Sequence, residues 1–321
     1  MKFSDAGYSA GVVGRFAPSP TGPLHFGSLL AAMASYLEAR QGQWLVRIED
    51  VDRPRALGGM ADDQLQTLQA YGFKWSSAQV VYQSARGVRY ETVLHRLIAA
   101  GLAYPCTCSR SSLAQAAHVS VGVDGARIYP GTCATWQQGD PVPARVAWRF
   151  RVGSPVDAPI VFEDRIQGLQ QQQLAAGVGD FVIQRADGCY TYQLAAVVDD
   201  LAQGVNQVVR GADLLDSTAR QIALIRALGG VMPVYAHIPV AVNLSGEKLS
   251  KQTRARRLPV ADEAARVTVL WAALHFLGQM PPDALRSGSQ AGLWHWVSES
   301  WSLDRVPRRR GILSEPTLAG A

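Results

Sequence analysis

A short apolar run bounded by turn residues, GVVGRF (Gly11–Phe16), predicts a buried strand. After a proline-rich turn, Leu29, Leu30, Met33, Ala34 and Leu37 recur three and four residues apart. That spacing predicts a helix over Gly27–Gln41, stopping near Gly42. WLVRIED (Trp44–Asp50) reads as a second strand. Helices are expected around Met60–Tyr71 and Ser84–Ala100, the latter with Tyr90, Val93, Leu94, Leu97 and Ile98 on one face. Strand, helix, strand, helix in this order implies a parallel sheet with crossover helices.

The pattern then changes. From Pro105 to Arg145 the chain holds cysteines, prolines and glycines with little periodicity, and from Ala147 to Tyr192 strand-like stretches dominate: VAWRFRV, IVFEDRI and DFVIQR. This predicts an α+β insertion with its own fold. The run Gln170–Gln173 is too short to weigh. Alternating strand and helix returns with YQLAAVVDDLAQG, NQVVRG, a helix over Asp213–Leu228 and the strand HIPVAVN. Past Arg257 the chain reads as helical. Asp262 is a candidate N-cap, followed by a stripe of Ala264, Val267, Leu270, Trp271, Leu274 and Leu277. The expected division is 11–104 and 191–257 as two halves of one Rossmann-type α/β domain, 105–190 as the insertion, and 258–321 as a short helical region.

Composition narrows the class. The 321 residues are 48% hydrophobic and 18% charged, which is ordinary globular composition. No apolar run reaches the roughly 18 residues of a membrane span, and the N-terminus lacks a secretory pattern, so a cytoplasmic protein with no membrane partner is expected. A net charge of +5 permits nucleic-acid binding without demanding it. Four cysteines in such a chain argue for a metal or isolated thiols, not disulfides.

Two stretches carry candidate chemistry. In RFAPSPTGPLHFGSL (Arg15–Leu29), His25-Phe26-Gly27-Ser28 opens a helix after a stiff turn. Free N–H groups there suit phosphate, and the prolines fix the approach without needing donors. In SGEKLSKQ (Ser245–Gln252), Lys248 and Lys251 could neutralise charge building on a triphosphate as pyrophosphate leaves. Cys106 and Cys108, with Cys133 further on, have the look of a structural Zn²⁺ site. His118 is the conventional candidate for a fourth ligand, and Cys189 lies apart as an expected buried thiol.

Taken together, PSPTGPLHFGS and KLSKQ resemble the HIGH and KMSKS signatures of the class I aminoacyl-tRNA synthetases, in their glutamate form. RIEDVDRPR (Arg47–Arg55), TYQLAAVVDD (Thr191–Asp200) and VVRGADLL (Val208–Leu215) extend the likeness from about Gly14 over nearly the whole chain. The resemblance implies a Rossmann-type catalytic domain interrupted by a zinc-bearing insertion. It implies activation of L-glutamate by ATP with Mg²⁺ and transfer of the glutamyl group to a nucleic-acid hydroxyl. It assigns glutamate binding to Arg15, Phe16, Ala17, Pro18, Ser19, Glu49, Tyr192 and Arg210. ATP binding falls to His25, Gly27, Ser28 and Lys251, and catalysis to His25, Lys248 and Lys251.

The charges agree with that assignment. Arg15 and Arg210 are fork donors for a carboxylate, Tyr192 offers a hydroxyl, and Glu49 suits an ammonium. The family pattern C-x-C…Y-x₃-C points to Tyr129 rather than His118 as the fourth ligand beside Cys106, Cys108 and Cys133. The chain stops soon after Gln252, with a basic end at Arg305 and Arg308–Arg310. HFGS and KLSKQ depart from the family's usual forms. These departures resemble a truncated branch of the glutamate group, which implies the queuosine base at the wobble position of tRNA(Asp) as acceptor; a monomer is expected separately. Competing readings are a minimal enzyme charging the 3′ end of tRNA(Glu), a small-molecule adenylate-forming ligase, and an RNA-binding module with a dead site.

Overall fold

The structure, a computed structural model, describes residues 11–76, 80–115, 121–122, 125, 127–153, 158–243 and 256–313. The chain begins with β1 (Val13–Phe16), α1 (Phe26–Glu38) and β2 (Gln43–Ile48), then α2 (Met60–Ala70), β3 (Val81–Tyr82) and α3 (Gly87–Ala99). The insertion region contributes β4 (Ala103–Cys106), α4 (Arg110–Gln115), β5 (Ala147–Phe150), β6 (Ile160–Asp164), β7 (Gly168–Gln172), α5 (Leu174–Gly177) and β8 (Phe181–Gln184). Then come α6 (Tyr192–Ala202), β9 (Gln207–Gly211), α7 (Thr218–Ala227), β10 (Val234–Ile238) and β11 (Val240–Val242). The last elements are α8 (Glu263–Phe276), α9 (Gln290–Ser300) and β12 (Gly311–Leu313).

The α/β expectation holds. β1, β2 and β3 pair in parallel, and a second sheet runs β7-β6-β10-β9. Asn206 links them at the seam: its side chain accepts from the Val13 N–H at 2.8 Å and its own N–H donates to the Val13 carbonyl at 3.1 Å. β1 and β9 therefore lie side by side although 190 residues of chain separate them. The carboxyl ends of such neighbouring parallel strands are where open α/β sheets form binding crevices.

Two parts of the sheet topology depart from the sequence reading. β6 and β7 form an antiparallel hairpin, and β6 also pairs in parallel with β10, so this part of 105–190 joins the main sheet. The glutamine run is its edge strand, with alternate residues half-buried, and polar edge side chains suit that position. Beyond the helical C-terminal region, β12 pairs in parallel with β11, and the strand expected as HIPVAVN is broken at Pro239 into the end of β10 and β11. Proline has no N–H for the ladder, which accounts for the break.

Several packed regions hold the parts together. α1 buries Phe26, Leu29, Leu30, Met33 and Leu37 against α8 and α9, whose Val267, Leu270, Leu274, Leu293 and Val297 share the same core. Asp262 caps α8, accepting from the Ala264 N–H at 3.0 Å. The faces of α3, α6 and α7 pack on the separate antiparallel sheet β4-β5-β8. Tyr104, Cys106 and Tyr129 make a small core of their own beside that sheet. One close approach needs glycine: a Cβ on Gly42 would sit 1.9 Å from the Val12 carbonyl oxygen, where the turn after α1 meets β1.

Candidate active site

The stiff turn after β1 is pinned from three sides. The Glu49 N–H donates to the Pro18 carbonyl at 2.9 Å, and the Leu57 N–H donates to that of Pro20 at 2.9 Å. Buried Gln64 of α2 donates to the carbonyls of Ser19, at 3.1 Å, and Gly22, at 2.7 Å. The turn thus delivers His25 as the N-cap of α1, in extended backbone, with Ser28 Oγ accepting from the His25 N–H at 3.5 Å. Ser28 stands three residues after the cap, where a short hydroxyl can reach back to it.

A cavity of about 190 Å³ opens at the carboxyl ends of β1, β2 and β9. Arg15, Phe16 and Ala17 line it from β1, Glu49 from the end of β2, Tyr192 from the start of α6, and Arg210 from β9. His25, Gly27 and Ser28 close one side of the same space. Ser19 lines an adjoining cavity that shares Glu49 and Tyr192, and Pro18 contributes its carbonyl to Glu49 as above. Residues from four separate motifs therefore meet at one place.

The two pocket arginines are held differently. Arg15 Nε lies 3.3 Å from Asp200 Oδ1. Fully buried Arg47 joins the same network, donating to Asp200 Oδ1 at 2.7 Å, to Gln203 Oε1 at 2.9 Å and to Glu49 Oε1 at 3.2 Å. Burial would raise the Asp200 carboxyl, but Arg15 and Arg47 outweigh it and hold it below its ordinary value. For Glu49 burial prevails over Arg47 and Arg15, and its carboxyl is pushed up.

Arg210 has neutral neighbours instead. It donates to Gln221 Oε1 at 2.8 Å, Thr218 Oγ1 at 2.9 Å, His237 Nε2 at 2.9 Å and the Tyr192 hydroxyl at 3.1 Å. Behind it, His237 Nδ1 lies 2.6 Å from Asp164 Oδ2. Burial and the nearby Arg210 lower His237 to about 4, against the pull of Asp164.

Residues 11–276 match the family of class I tRNA synthetases (E and Q), catalytic domain. The chain belongs to this family. A protein of Dechloromonas aromatica (strain RCB) named glutamyl-Q tRNA(Asp) synthetase is 54% identical over 303 residues, 94% of this chain and 97% of that relative. The protein of that name from Geobacter sulfurreducens is 50% identical, over 92% of this chain and 94% of its own length. In fold, the chain is similar to a glutamate-tRNA synthetase from Elizabethkingia anophelis, with a TM-score of 0.75, 24% identity and coverage of 96% of this chain and 69% of that one. Membership makes it an aminoacyl-tRNA synthetase-like ligase.

Set in this synthetase family, the sequence-expected residues divide into those the structure brings together and those it leaves out. Lys248, Lys251 and His118 lie outside the described residues. The described neighbours of the lysine loop do border the pocket: Val240 and Ala241 line it, and Arg257 forms an antiparallel bridge with His25. The basic end is not a free tail. Arg310 donates to Asp216 at 3.3 Å and its carbonyl accepts from the Val240 N–H, which leads the chain into β12. Sequence reading missed Arg47, Asp200, Asp164, His237, Thr218 and Gln221. Arg47 and Asp200 do sit inside the quoted motifs, but their partnership spans 153 residues and leaves no local pattern.

The sulfur atoms of Cys106, Cys108 and Cys133 lie within 4.8 Å of one another, with Cys108 and Cys133 at 3.7 Å. The Tyr129 hydroxyl is 3.4 Å from Cys106 Sγ and 3.8 Å from Cys108 Sγ. Zinc–sulfur bonds of about 2.3 Å in a tetrahedron put neighbouring sulfurs roughly 3.8 Å apart, so this donor set fits Zn²⁺. Burial would raise the Cys133 thiol, but hydrogen bonding with Tyr129 and the Thr107 backbone brings it to about 7. Arg149, buried behind the group, donates to Cys106 Sγ at 3.3 Å and lies 3.7 Å over the Tyr129 ring. Gly179 is forced here, since its φ of +70° is left-handed and a Cβ would sit 2.9 Å from the Tyr129 nitrogen. Cys189 stands outside the cluster and is half-buried, not buried as expected, with its thiol donating to the Val51 carbonyl at 3.2 Å.

Proposed function

We propose that this chain activates L-glutamate with ATP and Mg²⁺ to glutamyl-adenylate and transfers the glutamyl group to the queuosine base at the wobble position of tRNA(Asp). The observation that carries the reading is the pocket itself. A buried arginine with neutral partners faces the same cavity as Glu49, the arrangement an amino acid with a side-chain carboxylate and an α-ammonium requires. Arg210 and Tyr192 take the γ-carboxylate, Arg15 lies beside them, and Glu49 holds the ammonium. The α-carboxylate is left free to attack the α-phosphate.

His25, Gly27 and Ser28 present the N-terminus of α1 to the nucleotide, where free N–H groups and the helix dipole favour phosphate. Lys248 and Lys251 neutralise the departing pyrophosphate. No protein nucleophile is needed, so catalysis is positioning plus charge stabilisation. Cys106, Cys108, Cys133 and Tyr129 hold one structural Zn²⁺, which would fix the loop after β4 relative to β5. The relatives' shared name and their near-complete mutual coverage with this chain support the acceptor.

The test is transfer of labelled glutamate to tRNA(Asp) with and without queuosine, beside tRNA(Glu). Glutamate on queuosine-containing tRNA(Asp) alone is the expected result. Label recovered on the 3′ adenosine of tRNA(Glu) would instead identify a minimal glutamyl-tRNA synthetase.

A further inference from the structure

The pocket cations differ in one respect that the bound amino acid would feel. Arg15 and Arg47 are ion-paired to Asp200, and Arg47 to Glu49 as well. Arg210, only 5% exposed, has no carboxylate within ion-pair distance among the described residues, and Asp200, near enough to feel its charge, is already shared by Arg15 and Arg47. A buried guanidinium without an anion is costly unless a ligand supplies one.

The titratable ring in contact with Arg210 is His237, and its geometry keeps it neutral, so it brings Arg210 neither an anion nor a second cation. Arg210 Nε can only donate, so His237 Nε2, 2.9 Å away, must accept. The single ring proton is then on Nδ1, directed at Asp164 Oδ2 2.6 Å away. Asp164 is itself fixed: its Oδ1 accepts from the backbone N–H groups of His237, Ile166 and Gln167 at 3.1, 3.0 and 2.8 Å. Tyr235 stacks on the imidazole at 6.1 Å with an interplanar angle of 18°. The ring is thus held by a carboxylate that points away from Arg210, and it offers Arg210 a lone pair but no charge.

We propose that His237, set by Asp164, is a positioning residue that fixes Arg210 while leaving its charge uncompensated, and so makes the pocket select an anionic side chain over its neutral amide. This rests on the glutamate reading of the site. Glutamine would leave the Arg210 charge buried and unpaired, whereas glutamate cancels it. A carboxylate at position 237 would cancel it in advance and remove the reason for preferring glutamate.

The test compares His237→Gln with His237→Glu, both in an Asp164→Asn background so that the new carboxylate faces no other. The two side chains are nearly isosteric and differ in charge. The readout is the ratio of kcat/KM for glutamate to that for glutamine in ATP–pyrophosphate exchange. His237→Gln should keep the ratio of its parent, and His237→Glu should lower it at least about tenfold. A purely structural role would depress both substrates together and leave the ratio alone, so equal ratios in the two variants overturn the proposal. Should both variants fail to fold, Asp164→Asn alone decides. It should raise the glutamate KM about fivefold or more with kcat nearly unchanged, because Arg210 loses its fixed aim, and an unchanged KM would sink the idea. The wild-type control keeps the two readings apart: absence of glutamate-dependent exchange there would count against the proposed function, not against the role of His237.

Discussion

The strand-end pocket and the cysteine module are built on opposite plans. The pocket draws its charged residues from β1, β2, α6 and β9, elements up to almost 200 residues apart, and locks them by ion pairs under the main sheet. The module gathers its donors from one stretch, Cys106 to Cys133, around a core of three buried side chains among the described residues. A long-range network is stabilised by the whole fold that surrounds it. A short loop with so little apolar surface depends on its own crosslinks. The pocket should therefore tolerate damage to the module, and the module should be indifferent to the pocket.

The sharpest break in that comparison is Arg210→Ala. It removes the cation for the glutamate side chain but leaves the cysteine cluster untouched. Truncating one member of a buried charge contact costs about 4 kcal/mol, or roughly a thousandfold. Glutamate-dependent exchange should fall by about that factor in kcat/KM, with metal content unchanged. A loss below tenfold would remove Arg210 from the pocket's main contacts.

Asp200→Asn tests the network from behind. It leaves the shape in place but strips Arg15 and Arg47 of a shared carboxylate, and breaking a buried pair costs about 3 kcal/mol of folding stability. Chemical denaturation should show that loss, and the cysteine cluster should still bind metal. An unaltered midpoint would mean that the ion pairs contribute little to the fold.

Acid separates the regions in another way. His237 is held at about 4 against an ordinary 6.5, so the unfolded chain takes its proton first. Its contribution is complete above 6.5 and is lost as pH falls toward 4, on the order of 3 kcal/mol. Asp164, drawn below its ordinary value by His237 and by backbone N–H groups despite its burial, adds a further loss in the same direction at lower pH. Arg210, Arg15 and the Tyr235 ring also face His237. Stability measured from pH 7 to 4 should fall less steeply in His237→Gln than in the wild type, and parallel curves would contradict the buried neutral imidazole.

The same contrast explains what the sequence could reveal. Helical spacing located α1 and α8, including the Asp262 cap, because those signals are local. The motifs located Arg15, Glu49, Tyr192 and Arg210, and three cysteines marked the module by spacing. The partners did not announce themselves. Asp164 looks like one more polar residue in a strand, and His237 like an incidental histidine in HIPVAVN. Their meaning exists only once β6, β9 and β10 lie side by side. The glutamine run carries no strand signal for a related reason, since a polar edge strand has no apolar alternation to betray it.

The smallest effect concerns the module alone. Arg149 reaches it from β5, donating to Cys106 Sγ and covering the Tyr129 ring. It sets a guanidinium N–H and a positive charge against Cys106 Sγ, where a metal-bound thiolate would carry negative charge. It is not itself a donor to the metal, so its loss should weaken the site without abolishing it. Partners of this kind change metal affinity by about 10–100-fold. Arg149→Ala should lower zinc affinity near the lower end of that range, because Tyr129 and the three sulfurs remain. Arg149 also donates to the Asp180 carbonyl at 2.7 Å, so some loosening of the β5–β8 edge should accompany it. Among the described residues the pocket shares no hydrogen bond with Arg149, and glutamate-dependent exchange should stay within about twofold of the wild type. If exchange fell in step with zinc affinity, the two regions would be coupled and the contrast between them would fail.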